Sequence, residues 1–178
     1  MDINALKYPI GKPLIPQKIN QEHINRWIDT IELFPTLVFE EVNGLNTKEL
    51  QLQYRPKGWT IHQVVCHCLD SHINSFIRFK LALTENQPTI KTYEEAEWAE
   101  LPDSTDFDLE HTLTYLDFVH KRWVFLLKKL NSEQWRKTFV HPDGNQVISL
   151  RENLAIYDWH CRHHLEHIRL AKRSKFNA

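Results

Sequence analysis

Four long segments of the chain repeat apolar side chains at the three- or four-residue spacing of an amphipathic helix. The spacing predicts helices over about 20–42, 61–84, 106–130 and 150–173. Only four glycines occur in the 178 residues, and few stretches alternate as a strand would. Because each such helix must bury its apolar stripe against other helices, the pattern predicts an all-α four-helix bundle in one domain, 1–178.

Local signals refine the helix boundaries. Thr60 with Gln63, and Ser149 with Glu152, have the spacing of a capping box, which satisfies free backbone N–H groups at a helix start. Pro35 lies inside the first long helix and should kink or break it, because proline has no N–H to donate.

The remaining segments are short or irregular. Three prolines in residues 1–19 predict an extended N-terminal arm, and a short helix is expected at 46–52. Residues 138–148 are typical of a small β-hairpin that turns at Asp143 and Gly144, just before the last helix. The loop 85–105 is long for a compact domain.

Composition excludes several classes of protein. The 22 basic and 23 acidic residues give a net charge of −1, so nothing favours a nucleic-acid or anionic-membrane partner. The longest apolar run, 123–127, is far too short to span a membrane. The N-terminus lacks the pattern of a signal peptide, and three cysteines form no even disulfide framework. We therefore expect a cytoplasmic protein.

Histidine is concentrated near the end of the chain, where four of the 11 histidines fall within 160–167. Residues four apart share a helix face, so His160 with His164, or His163 with His167, could chelate one metal ion. His160, His164 and His167 border the apolar stripe and should face the bundle interior. The alternative is a polar helix edge with a single core histidine.

A catalytic metal site commonly uses three protein ligands, and the second long helix offers His62, His67 and His72. His67 flanks the apolar stripe. His72 lies within the stripe, where a hydrogen-bonded core histidine is the favoured interpretation, and His62 lies in the first turn, where we expect exposure. His120 interrupts a leucine heptad and is also expected to be a hydrogen-bonded core residue.

The cysteines favour a structural interpretation. Cys66 and Cys68 point about 200° apart on a helix, so they cannot share an ion. With Cys161 they are expected to be small buried hydrophobic residues.

Several segments match a known family in order and spacing over essentially the whole chain. They are 8–11, 54–60 (YRPKGWT), 64–67, 70–80, 93–95, 98–101, 120–124, 157–160, 163–164 and 167–168. These segments resemble the YfiT family of metal-dependent hydrolases within the DinB superfamily. The resemblance implies a four-helix bundle, a homodimer and one divalent ion per subunit, zinc or nickel, held by His67, His160 and His164. Cys66 stands where the common family pattern has histidine.

The resemblance implies one of two chemistries at this site. A bound ion lowers the pKa of water from 15.7 to about 7, or it stabilises a thiolate. Our first hypothesis is a metal-dependent hydrolase acting on a small molecule, and the alternative is a bacillithiol-type thiol S-transferase. A third possibility is a metal-binding stress or sensor protein without turnover, which a fourth protein ligand would favour.

Two further expectations concern the surroundings of the site. Loop 85–105 could be a lid in which Glu94 or Glu95 acts as general base, since Trp98 should pack on something; a solvated connector is the alternative. Asp70 and Asp158 are the nearby carboxylates that could accept hydrogen bonds from metal-bound imidazoles.

Overall fold

Helices dominate the computed structural model, which describes residues 3–106 and 108–174. The four long helices are α2 (Gln21–Val42), α4 (Ile61–Thr84), α7 (Leu109–Leu127) and α8 (Leu150–Ser174). The short helices are α1 (Ile3–Lys7), α3 (Thr47–Leu50), α5 (Glu95–Trp98) and α6 (Pro102–Thr105), with 3₁₀ turns at Gln134–Arg136 and Asp143–Asn145. Strands β1 (Thr138–His141) and β2 (Gln146–Ser149) form an antiparallel hairpin that leads into α8. The predicted all-α four-helix bundle with a small hairpin is confirmed.

The bundle has a simple neighbour pattern. Helix α2 packs against α7 and α8, and α4 packs against the same two helices, so α2 and α4 lie diagonally across the core. Apolar residues of the helices and of β1 fill the centre, and the largest of those that are fully buried are Trp123, Phe34, Phe79, Phe139 and Ile31. This arrangement places α4 directly beside α8, the two helices that carry the candidate ligands.

Both predicted capping boxes are present. The Thr60 hydroxyl accepts from the Gln63 N–H at 3.1 Å, and the Gln63 side chain accepts from the Thr60 N–H at 3.0 Å. The Glu152 carboxylate accepts from the Ser149 N–H at 2.8 Å, and the Ser149 hydroxyl accepts from the Glu152 N–H at 3.4 Å. These contacts fix where α4 and α8 begin.

We expect Thr60→Ala to lower the free energy of unfolding by about 1 kcal/mol, because it removes the acceptor at the start of α4. Urea denaturation measures the change. Thr84→Ala, at the exposed opposite end of the same helix, is the matched control and should change stability less. Equal losses in the two variants would contradict a capping role.

Pro35 does not break α2. The sequence predicted a kink or a break at this proline. The helix runs without interruption from Gln21 to Val42, so a break does not occur, and a kink stays a prediction. Proline at 35 removes the helical hydrogen bond to the carbonyl of Ile31, four residues earlier. That carbonyl instead accepts from the Nδ1 of His120 on α7, at 2.6 Å. The hydrogen bond from α7 replaces the one that the proline removes, and the helix continues.

The N-terminal arm was only partly predicted. Residues 3–7 form helix α1 and bury Leu6, so the extended arm expected over 1–19 is wrong for this part. The indole N–H of Trp159 donates to the carbonyl of Gly11 at 2.9 Å and ties the arm to α8. In the described ranges, no helix combines the length and apolarity that crossing a membrane requires.

Candidate metal centre

Three imidazoles converge where α4 meets α8. His67 on α4 and His160 and His164 on α8 each offer one nitrogen, and these three nitrogens lie within 4.8 Å of one another. The Nε2 atoms of His67 and His160 are 3.2 Å apart. His160 and His164 are one helical turn apart, so they share the face that α8 presents to α4. The helical spacing allowed two chelating pairs, His160 with His164 and His163 with His167. The structure brings the first of these pairs together with His67.

The donor set fits a divalent transition metal ion. Two nitrogens bound tetrahedrally to one zinc ion at 2.0–2.1 Å would be about 3.3 Å apart, close to the separation seen between His67 and His160. In the described part of the chain, the cluster consists of imidazoles alone. His67 and His164 are buried, and His160 is half-buried.

Burial keeps these ligand atoms uncharged. The surrounding protein lowers the pKa of His67 to about 4, and burial together with the neighbouring imidazoles lowers the pKa of His160 and of His164 well below the usual value. A buried imidazolium is disfavoured because it loses its hydration. At neutral pH the three rings are therefore neutral, which is the form that coordinates a metal.

Hydroxyl groups lie beside the cluster. The Ser71 Oγ is 3.4 Å from the Nε2 of His160 and 3.1 Å from the Tyr157 hydroxyl. Tyr157 also donates to the Ser71 carbonyl at 3.0 Å, and the ring of Trp59 packs on His67 with centroids 4.7 Å apart. The sequence contained a signal for both hydroxyl residues, because Ser71 follows His67 by four positions and Tyr157 precedes His160 by three.

The other histidines have different surroundings. His72 and His120 are buried, hydrogen-bonded core residues, as predicted. His62 was expected to be exposed, and this is wrong: it is 6% exposed, and its Nδ1 lies 2.8 Å from the Ser104 carbonyl because α6 packs over the start of α4. His163 stacks on Trp159 at 4.2 Å, outside the cluster.

The cysteines are buried and free, as predicted. Burial raises the pKa of Cys66 to about 11, so its thiol stays protonated at neutral pH. Cysteine at position 66, where the common family pattern has histidine, therefore places no charged thiolate next to His67.

The loop 85–105 packs beside α4 and contains α5 and α6. Gln63 donates its side-chain N–H to the Ala99 carbonyl at 2.8 Å. The rings of Tyr93 and Trp98 pack together at 4.4 Å. Among the described residues, none hydrogen-bonds to the buried Tyr93 hydroxyl, and the nearby Ser71 hydroxyl opposes the rise in the Tyr93 pKa that burial causes. The middle of the loop, at Tyr93, thus lies next to the hydroxyl groups at the cluster.

The two glutamates of this loop differ in environment. Glu94 flanks the start of α5 and is exposed. Glu95 also keeps contact with solvent, but protein atoms crowd its carboxyl, and this burial raises its pKa while Arg78 opposes the rise. Within the described residues, neither glutamate hydrogen-bonds to the three clustered histidines.

The hydrogen-bond partners of His160 and His164 are other histidines and not the expected carboxylates. The Nδ1 of His160 contacts the Nε2 of His72 at 3.0 Å, and the Nδ1 of His164 contacts the Nδ1 of His167 at 3.4 Å. The hypothesis that Asp70 or Asp158 accepts from these two rings was therefore wrong. The Asp158 carboxylate forms a salt bridge with Arg162 at 2.6 Å. Burial, together with the nearby charge of Asp103, raises the pKa of Asp70 to about 6.

The fold and the cluster define a class of protein, namely a four-helix bundle with three converging histidines that could hold a metal ion. The family model of the DinB superfamily matches residues 30–168. Relatives in Bacillus cereus (strain ZK / E33L) and Bacillus anthracis (strain CDC 684), each named "Putative metal-dependent hydrolase", are 48% identical over 166 residues, covering 93% of this chain and 95% of theirs.

A solved structure is similar over nearly the whole chain. YfiT from Bacillus subtilis, described as "a probable metal-dependent hydrolase with an unusual four-helix bundle topology", superposes with a TM-score of 0.93 at 40% identity, covering 96% of this chain and 97% of that one. The chain therefore belongs to the YfiT family within the DinB superfamily.

Proposed function

We propose that this protein is a metal-dependent hydrolase that acts on a small molecule. One divalent ion per subunit, zinc or nickel, would be held by His67, His160 and His164. The observation that carries the proposal is the convergence of three neutral imidazole nitrogens within 4.8 Å. The names of the relatives support the same assignment.

The composition of the ligand set favours an enzyme over a structural metal site. Structural zinc sites use four protein ligands, whereas catalytic sites use three and leave a position for water or substrate. Among the described residues, no fourth side chain joins the three histidines. When bound, the ion acts as a Lewis acid that provides a nucleophile at neutral pH.

Residues of this chain would then orient the substrate and move the proton. The Ser71 hydroxyl adjoins the His160 Nε2 and can hydrogen-bond to a polar group placed there, and the Tyr157 hydroxyl contacts Ser71 from behind. Glu95 is the better candidate for the general base, because its charge acts on the Tyr157 hydroxyl near the cluster and partial burial raises its pKa. Glu94 is exposed at the start of α5.

We expect Glu95→Gln to lower turnover by about 100-fold or more, the usual contribution of a general base, while the ion stays bound. Glu94→Gln is the matched control and should keep most of the activity. Steady-state kinetics and elemental analysis of both variants provide the two measurements. Equal activity in the two variants would remove Glu95 from the mechanism.

The decisive experiment tests the chemistry directly. Zinc-loaded and nickel-loaded protein is incubated with panels of esters and amides and with pairs of a thiol and an electrophile, and products are identified by mass spectrometry. Hydrolysis by the wild type but not by His164→Ala supports the proposal. Thiol adducts alone would favour the S-transferase, and bound metal without any product would favour a non-catalytic metal-binding protein.

Two further properties belong to the proposal. A homodimer is supported by the exposed aromatic residues Tyr115, Phe118 and Phe125 along α7, since large exposed apolar groups mark contact surfaces. Light scattering should give twice the mass of one chain, and the mass of a single chain would contradict the dimer.

A cytoplasmic location is supported by three unpaired cysteines.

A further inference from the structure

A row of hydrogen-bonded histidines leads from the cluster through the core. The Nδ1 of His160 lies 3.0 Å from the Nε2 of His72, and the Nδ1 of His72 lies 2.7 Å from the Nε2 of His120. The row ends at α2, where the Nδ1 of His120 lies 2.6 Å from the carbonyl of Ile31. We call His160, His72, His120 and the Ile31 carbonyl the long relay.

The carbonyl sets the direction of every hydrogen bond in the long relay. A carbonyl can only accept, so the Nδ1 of His120 carries the proton. A neutral imidazole has one N–H, so the Nε2 of His120 accepts from the Nδ1 of His72. By the same step, the Nε2 of His72 accepts from the Nδ1 of His160. The Nε2 of His160 is then left with a lone pair, and this is the atom that meets His67.

The Ile31 carbonyl is available because of Pro35. In a regular helix the N–H of residue 35 would donate to it. Proline has no N–H, so the carbonyl remains free to accept from another helix. A single proline in α2 thereby supplies the acceptor that terminates the relay.

A second and shorter row orients His164. The Nε2 of His167 lies 3.3 Å from the carbonyl of Lys7 in α1, so this nitrogen carries the proton. The Nδ1 of His167 then accepts from the Nδ1 of His164 at 3.4 Å, which leaves the Nε2 of His164 with its lone pair. The ring of Tyr54 stacks on His167 with centroids 3.9 Å apart and holds it in place. We call His164, His167 and the Lys7 carbonyl the short relay.

We propose that the two relays are positioning devices that fix the tautomers of His160 and His164 before any ion binds. His72, His120 and His167 are positioning residues, and two backbone carbonyls are the fixed ends. The inference deepens the proposed function, because it rests on these histidines being ligands. A ring with its proton on Nε2 cannot coordinate a metal ion through that atom. Only the fraction of rings with a free Nε2 can bind, so a preset tautomer raises this fraction and with it the metal affinity.

Nuclear magnetic resonance of the ion-free, ¹⁵N-labelled protein tests the proposal at neutral pH. Long-range ¹H–¹⁵N spectra distinguish the two nitrogens of each ring. We expect His72, His120, His160 and His164 to be protonated at Nδ1, and His167 at Nε2. A proton on the Nε2 of His160 or His164 would overturn the proposal.

Variants of His120 test whether the long relay acts at a distance. His120→Leu removes both the donor to Ile31 and the acceptor for His72, and we expect zinc affinity to fall about 10- to 100-fold, as for other partners of metal-bound imidazoles. His120→Gln keeps a donor and an acceptor and should restore most of the affinity. His62→Leu is the matched control, since His62 is also buried and contacts a backbone carbonyl outside the relay.

Two measurements distinguish failure of the relay proposal from failure of the proposed function. Zinc affinity is measured by competition with a chelator, and the tautomers are measured without any ion. If His120→Leu binds zinc as tightly as His62→Leu and keeps His160 protonated at Nδ1, the relay is overturned. If the wild type shows the expected tautomers but neither zinc nor nickel binds, the proposed function fails and the tautomer assignment stands. Should His120→Leu not fold, the wild-type spectrum and His120→Gln decide.

Discussion

Alanine at His67, His160 or His164 is expected to reduce the metal content of the purified protein from one ion per chain to a small fraction of that value. Each substitution removes one of three ligands and leaves two imidazoles, too few for the three-ligand site that catalytic zinc uses. Elemental analysis after dialysis against metal-free buffer measures the content of each variant.

The matched control for these variants is His163→Ala. His163 lies on the same helix and is also buried, but it packs on Trp159 and takes no part in the cluster. We expect this variant to keep its ion. A full complement of metal in His164→Ala would contradict the ligand assignment, and loss from His163→Ala alone would point to a different site.

Acid should unfold the ion-free protein steeply. Burial lowers the pKa of His67 and of His120 to about 4, against 6.5 for an exposed histidine. Below pH 6.5 the unfolded chain binds protons that the folded chain cannot, so stability is complete above that pH and is lost as the pH falls towards 4. Each such residue lowers the free energy of unfolding by about 1.4 kcal/mol per pH unit.

Two such residues already remove about 3 kcal/mol between pH 6.5 and 5, a large share of the 5–15 kcal/mol that domains of this size possess. Urea denaturation of chelator-treated protein between pH 7 and 4.5 measures the slope. His120→Gln has one fewer titrating group, so its slope should be shallower by about 1.4 kcal/mol per pH unit. A free energy of unfolding that is constant between pH 7 and 5 would contradict the prediction.

The architecture was predictable from the sequence because its signals are local. Helical spacing and two capping boxes identified the long helices, and the hairpin followed from its turn residues. The expected exposure of His62 failed because α6, some forty residues later, covers it. Of the kink or break expected at Pro35, the break does not occur, because the compensating donor comes from another helix. Both errors concern contacts between segments distant in sequence, which periodicity does not encode.

The candidate site was predictable in part. The spacing of His160 and His164 placed two imidazoles on one face of a helix, but His67 was selected from three histidines only through the family resemblance. His72 and His120 were expected to be hydrogen-bonded in the core, and this is confirmed. Their alignment into a relay depends on the relative positions of four helices, which no local pattern reveals.

The proline in α2 also has a consequence for protein engineering. Replacing a proline inside a helix normally recovers as much as about 3 kcal/mol, so a redesign guided by thermostability would select Pro35 early. In this protein, Pro35→Ala would return an N–H that competes with His120 for the Ile31 carbonyl. A heat-resistant variant obtained in this way would gain helix stability at the expense of metal affinity. Screens based on melting temperature should therefore assay metal retention alongside it, even for substitutions in a helix that contributes no ligand.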